Sequence, residues 1–176
     1  MPAKRSLYRK IQEVLDSAKS VRAASRADLV QAITDSNNEI FHTLQYNARL
    51  DKFEPGISKR VVKQTVATCI LLDLISGDGR LTDTGSSALR KAHFEGIVAK
   101  QIRAHLSFQG LDVEKLNRVI AKNLRAEPPV MPTCAVLWEA YGESIPYGRF
   151  ARLLTLLAHC GGAQSSQRKI YLHIAA

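Results

Sequence analysis

The chain has 176 residues, 45% of them hydrophobic, which is room for one full domain or two small ones, each with its own core. Lys and Arg number 25 against 16 Asp and Glu, a formal charge of +9, and such an excess favours an anionic partner. No apolar run approaches the roughly 20 residues that cross a bilayer, and the opening "MPAKRSLYRKIQEVL" lacks the apolar core of a secretory signal, so a cytoplasmic protein without a membrane partner is expected.

Residues 5 to 24 place Leu7, Ile11, Val14, Leu15, Ala18 and Val21 at spacings of three and four, one face of an amphipathic helix. "SRAD" at 25–28 can cap a second helix through Val30 and Ile33, because the Ser25 oxygen and the Asp28 carboxylate satisfy free N–H groups. "SNNE" at 36–39 repeats that signal, and a third helical segment with Ile40, Phe41, Leu44 and Leu50 is expected, ending near Pro55 and Gly56.

From Ser58, "SKRVVKQTVATCILLDLI" reads as a capped helix. At about 100° per residue, Val61, Val62, Thr65, Val66, Cys69 and Leu72 share one face, and Lys59, Arg60, Lys63, Gln64 and Ala67 the other. The Gly77-Asp78-Gly79 turn between apolar Ile75 and Leu81 predicts a two-stranded hairpin with Arg80 at its tip. A long helix then runs from about Thr82 to Leu106, with Ile97, Val98, Ile102 and Leu106 available for packing or for pairing with a second copy.

Gly110 and Asp112 break the pattern. A helix through Val113, Leu116, Val119, Ile120 and Leu124 follows, and "EPPVMP" ends it, since paired prolines disfavour continuation. "TCAVLWEAYG" is a short helix with Gly142 at its C-cap, and Pro146 opens a last helix with Phe150, Leu153, Leu154 and Leu157 inward and Gly148, Arg152, Thr155 and His159 outward. "AQSSQRKIYLHI" predicts two short strands around a turn bearing Arg168 and Lys169. The order of helix, basic-faced helix and hairpin thus occurs twice without residue-level repetition, which predicts a domain over residues 1–106 and a second, smaller one over 111–176. Residues 112 to 126 could instead connect the two.

"CILLDLISGDGRLTDTGSSAL" resembles the wing segment of winged helix-turn-helix regulators related to MarR and PadR. Those proteins follow a recognition helix with an apolar "gLI" element, a short hairpin and "LTxxG". Here Leu74, Ile75, the 77–79 turn, Leu81, Thr82 and Gly85 stand at that spacing, over about twenty residues. The second module follows the plan in outline only, without "LTxxG". The resemblance implies a mainly α fold with small β-hairpins, arranged as tandem winged-helix-like modules. It also implies double-stranded DNA as partner, a role in transcription regulation, and pairing of copies through a terminal helix such as 82–106.

The side chains suit that expectation. An α-helix about 10 to 12 Å across fits the major groove of B-form DNA, where Arg60 and Gln64 could offer a fork and an amide to base edges. Lys59 and Lys63 suit phosphates, and Arg80, Arg149, Arg152, Arg168 and Lys169 fall on the second set of expected contacts. A charged helix face is also what plain solvation produces, and a basic terminal hairpin can serve solubility alone.

Catalysis finds no support in the letters. No Asp or Glu is followed two positions on by Lys, and CxxC, HExxH, HxxxH and GxxxxGK are missing, so neither metal nor cofactor is expected. Ser166 and Lys169 match Ser-x-x-Lys, but in a predicted turn with no companion motif. Cys69, Cys134 and Cys160, odd in number and in apolar contexts, read as buried hydrophobes. The expected function is therefore DNA binding without an enzyme activity, by a nucleoid-associated regulator or DNA-recognition subunit. The alternative is a protein-docking subunit of a chromosome-organising or phage-defence complex, in which winged helices serve as interaction modules.

Overall fold

Helix α1, Leu7–Ser20, buries Ile11, Val14 and Leu15 at helical spacing, as its sequence pattern requires. It belongs to a computed structural model that describes residues 7–21, 25–90, 92, 94–125, 132–142, 144–160, 164–166 and 169–171, with backbone alone for 124, 158–160 and the last two segments. Among these residues the chain is mainly helical, eight α-helices with small antiparallel hairpins. It divides into two compact units between Val98 and Ala99.

In the first unit, α2 spans Arg26–Asp35 and starts as its sequence indicates. The Ser25 hydroxyl oxygen accepts from the Asp28 N–H at 3.2 Å, and its proton goes to the Asp28 carboxylate at 2.9 Å. Asn38 caps only one further turn, the 3-10 segment Glu39–Phe41, through a bond from the Ile40 N–H at 3.0 Å. The expected third helix is replaced by an antiparallel ribbon of β1, His42–Asn47, and β2, Lys52–Ile57. The reason lies in the alternation of Leu44 and Tyr46 with Thr43, Gln45 and Asn47, a period of two. The Asn47 side chain and carbonyl accept from Arg49 and Leu50, and Asp51 takes a left-handed φ of 47°, so the chain reverses at 48–51.

The ribbon leads directly into α3, Lys59–Leu71. Its C-terminus closes as a Schellman turn: Asp73 has φ of 55°, its N–H donates to Ile70 and the Leu74 N–H donates to Cys69. Helix α4, Asp83–Arg90, follows after a bridge between Ile75 and Leu81. Helix α1 packs on α2, α3 and α4, while the 3-10 turn packs on α1, α3 and β2. Phe41, Leu29, Ile33, Val62, Val66, Cys69, Leu72 and Leu74 complete the core with α1, each large side chain contributing roughly 1.5–3 kcal/mol on burial. Burial also pushes the Cys69 thiol up to about 12, which makes it an inert packing group.

The single helix expected over 82–106 is two helices, α4 and α5, Phe94–Phe108. The buried stripe breaks off between them. Gly85 and Ala88 are inside, yet Ala92 and Glu95, which would continue that stripe, are exposed. Val98 and Ile102 are buried instead, about 80° and 40° round from Ala88 if the helix ran straight through, with Leu106 back in phase. Helix α5 spans the division between the units and ends on Gly110, φ 81°, with the Leu111 N–H bonded to Leu106.

In the second unit, α6, Val113–Leu124, is capped by the Asp112 carboxylate, and α7, Cys134–Tyr141, by Thr133 at one end and left-handed Gly142 at the other. The Tyr141 hydroxyl fastens the entry to α6, accepting from the Asp112 N–H at 2.7 Å and donating to the Gly110 carbonyl at 3.1 Å. Lys115 donates to the Tyr141 carbonyl at 2.6 Å and lies 4.6 Å over its ring, so a cation closes the negative end of α7. Helix α8, Tyr147–Cys160, packs on α7, and the short strands β3, Gln164–Ser166, and β4, Lys169–Tyr171, pair antiparallel.

Candidate nucleic-acid interface

Helix α3 is divided cleanly by polarity. Val62, Thr65, Val66 and Cys69 are buried, and Lys59, Arg60, Lys63 and Gln64 are exposed on the other side. The sequence of α3 contains no carboxylate. Ser58 caps the helix by accepting from the Val61 N–H at 3.4 Å. Lys59 and Arg60 then stand at the positive end of the helix dipole, where cations destabilise an isolated helix by about 0.3–1 kcal/mol each. Lys59 donates to the Gln31 side chain at 3.2 Å; among the described residues Arg60 and Lys63 have no ion pair. Among the described residues, then, no acid pairs with the cations of this face.

The segment after α3 is a tight turn held by one bridged pair, Ile75 with Leu81, and not the two-stranded hairpin its sequence suggests. The Ser76 N–H donates to the Arg80 carbonyl at 2.8 Å, the Gly79 N–H to the Ser76 carbonyl at 2.9 Å, and the Ser76 hydroxyl to the Asp78 carboxylate. That hydroxyl, first, and then the neighbouring Arg80 N–H and guanidinium hold the Asp78 carboxyl below its ordinary range. The Arg80 guanidinium is 3.4 Å from Asp78, in an exposed pair that constrains it little.

Gly79 decides where this turn sits. Its φ is +90°, and a Cβ there would lie 3.3 Å from the Arg26 Cα and 3.4 Å from the Leu29 side chain. The turn thus rests on the first turn of α2, next to exposed Arg26. Lys59 meets α2 at Gln31, only about 7.5 Å further along the axis at 1.5 Å per residue. Helix α2 thus touches both the start of α3 and the Arg80 turn, but on different sides, since Arg26 and Gln31 lie about 140° apart around it at 100° per residue. Arg26 is the cation that sequence reasoning misses, because only its proximity to Gly79 distinguishes it from any residue at a helix start.

The "LTxxG" residues have local structural work. Thr82 caps α4, its hydroxyl accepting from the Gly85 N–H at 3.0 Å and donating to the Asp73 carbonyl at 2.6 Å. A Cβ on Gly85 would fall 2.0 Å from the Leu74 carbonyl oxygen, so only glycine lets α4 lie against the exit of α3. A helix-turn-helix has a turn of about three or four residues. Here the whole of 36–58, ribbon included, lies between α2 and α3.

In the second unit Phe150, Leu153, Leu154 and Leu157 are buried, while Gly148, Arg149, Arg152 and Thr155 are exposed on α8, again with no carboxylate in the helix. Tyr147 is 46% exposed and meets Trp138 edge to face at 5.4 Å. Arg168 lies outside the described residues, as do the side chains of His159 and Lys169, although Lys169 is a backbone position of β4. No protein family, curated protein or solved structure matches the chain.

Among the described residues no cluster of His, Cys, Asp and Glu could hold a metal ion, and no helix is long and apolar enough to cross a membrane. The chemistry on offer is that of charge and hydrogen-bond donors on rigid helices. Such a face can bind phosphates and address base edges.

Proposed function

We propose that the protein binds double-stranded DNA, with α3 as the principal contact and the Arg80 turn, Arg26 and the Arg149–Arg152 side of α8 as further contacts. One observation carries this reading: Lys59, Arg60, Lys63 and Gln64 are all exposed on a helix whose opposite side, Val62, Thr65, Val66 and Cys69, is buried and uncharged, and which contains no acid. A helix of this kind exposes a fork and an amide one turn apart, flanked by lysines, which is what a groove-facing helix requires. The sequence of 71–89 resembles a winged-helix wing segment, in keeping with a regulator or DNA-recognition subunit, but its one bridged pair and the 36–58 stretch between α2 and α3 leave the reading to rest on the exposed face of α3.

Binding of this type releases counterions, so affinity falls steeply with salt. The test is fluorescence anisotropy with a random-sequence duplex across a salt series. Replacing Lys63 and Arg152 together with Ala weakens binding on every sequence and flattens the log–log salt slope by about 2, close to 0.9 for each phosphate that is no longer neutralised. Unchanged affinity in that double variant, or salt-independent binding, overturns the proposal. The rival reading, a protein-docking subunit, is favoured by a separate feature: exposed apolar side chains on the β1–β2 ribbon.

A further inference from the structure

The ribbon has two unlike faces. In its register Leu44 opposes Pro55 and Tyr46 opposes Phe53, so these four share one side, while Thr43, Gln45, Asn47, Lys52 and Glu54 share the other. Leu44 is 72% exposed, Phe53 67% and Tyr46 56%, with Leu50 at the tip at 55%. The two rings touch at 5.5 Å, tilted by 57°, and form a continuous apolar surface with Leu44. Solitary exposed hydrophobes are ordinary; a contiguous set on one side of a projecting ribbon marks an interaction surface.

The charges of the ribbon say which partner fits. Arg49 and Lys52 are matched by Asp51 and Glu54, leaving this stretch neutral in a chain of +9. The acids are also engaged internally. Lys52 pairs with Glu54 at 2.9 Å, Asn47 donates to Glu54 at 2.9 Å, and the Tyr46 hydroxyl donates to Asp51 at 2.5 Å. A polyanion gains nothing from such a surface, whereas a copy of the same surface meets no like-charge repulsion there. Pro55 lacks the N–H that a strand added along the β2 edge would need, so strand addition at that edge is disfavoured.

We infer that a second copy of this chain docks on the ribbon, apolar face to apolar face, through a two-fold axis. The four exposed side chains offer roughly 500 Å² on each copy, at about 200 Å² for a full side chain of this size. Complete burial of all four on both copies sets an upper bound of about 1,000 Å², the lower limit for a specific interface, so the contact belongs to the weak class that dissociates on dilution. The contact is isologous, so Leu44 and Phe53 of one copy meet the same set on the other. It does not depend on the DNA reading, and its test contains no DNA.

Sedimentation velocity on the nuclease-treated full chain from about 1 to 100 µM reads the equilibrium directly. The wild type passes from monomer to dimer in this range. Leu44→Lys with Phe53→Lys stays monomeric, its dissociation constant raised at least 100-fold, while Thr43→Lys on the opposite face dimerises like the wild type. As a second measurement that needs no lysine in the ribbon, Phe53→Cys forms a disulfide-linked dimer under mild oxidation and Thr43→Cys does not. A wild type that stays monomeric overturns the proposal, as does a dimer that survives the double lysine variant or equal cross-linking of the two cysteine variants. A monomeric wild type whose double lysine variant loses duplex affinity assigns the face to DNA instead, and also overturns it.

Discussion

Both α3 and the ribbon that leads into it expose one face broadly, but α3 presents Lys59, Arg60, Lys63 and Gln64 whereas the ribbon presents Leu44, Tyr46 and Phe53 with its charges cancelled. The two surfaces share a root. Phe41 is fully buried between them, and its carbonyl accepts from the Ser58 N–H at 3.0 Å where the ribbon becomes the helix. On the two proposals made above, a surface for long-range attraction and one for short-range apolar contact sit side by side. Cations on the ribbon without matching acids would repel a second copy, and apolar groups on α3 would strip water from a phosphate without replacing its hydrogen bonds.

The most severe change removes what the two surfaces have in common. Phe41→Ala leaves a cavity at the junction and costs about 3–5 kcal/mol, enough to lower the melting temperature by more than ~10 °C and to weaken both duplex binding and self-association. Thermal unfolding followed by circular dichroism measures it; a melting point within a few degrees of the wild type would mean the junction is not the shared support.

A substitution confined to α3 separates the surfaces. Arg60→Ala or Gln64→Ala changes which duplexes are selected from a random library, by about 1–3 kcal/mol at the affected base pair, and leaves sedimentation unaltered. If either variant lowers affinity on all sequences equally, that residue contacts backbone. A milder effect belongs to Asp78→Asn, which frees Arg80 from its exposed pair and raises duplex affinity about two- to threefold. The Asp78 carboxyl is depressed, chiefly by the Ser76 hydroxyl, so its hold on the turn is complete above the ordinary carboxylate range and lost as pH falls through the lowered value. Wild-type binding accordingly shows no pH dependence from Asp78 between about pH 5 and 8, where it stays ionised, which a pH series of the same anisotropy measurement checks.

Reading the letters alone is sound where the signal is local and falls short where it is relational. The caps at Ser25 and Ser58 and the C-cap at Gly142 involve residues within four positions of one another, and the apolar side of α3 follows from its own period. The ribbon passes for a helix because Ile40, Phe41 and Leu44 also fit a helical spacing, and an exposed strand has no buried side to betray its period of two. The alternation through Asn47 followed by a polar turn is the available sign. The division of 82–106 into α4 and α5 is hidden for a related reason: apolar residues recur at helical spacing on both sides of it, and the exposure of Ala92 and Glu95 emerges only in the fold.

The mainly helical class, the basic balance and the polarity of α3 are written in the order of the residues, since helix period, caps and charge are properties of near neighbours. Folding in three dimensions was needed to rest the Arg80 turn on Arg26, to bring Gly85 up to the Leu74 carbonyl, and to leave the ribbon projecting with an uncovered apolar face. Those facts depend on which surfaces remain after the core has closed, and a residue's exposure is set by distant segments packed against it.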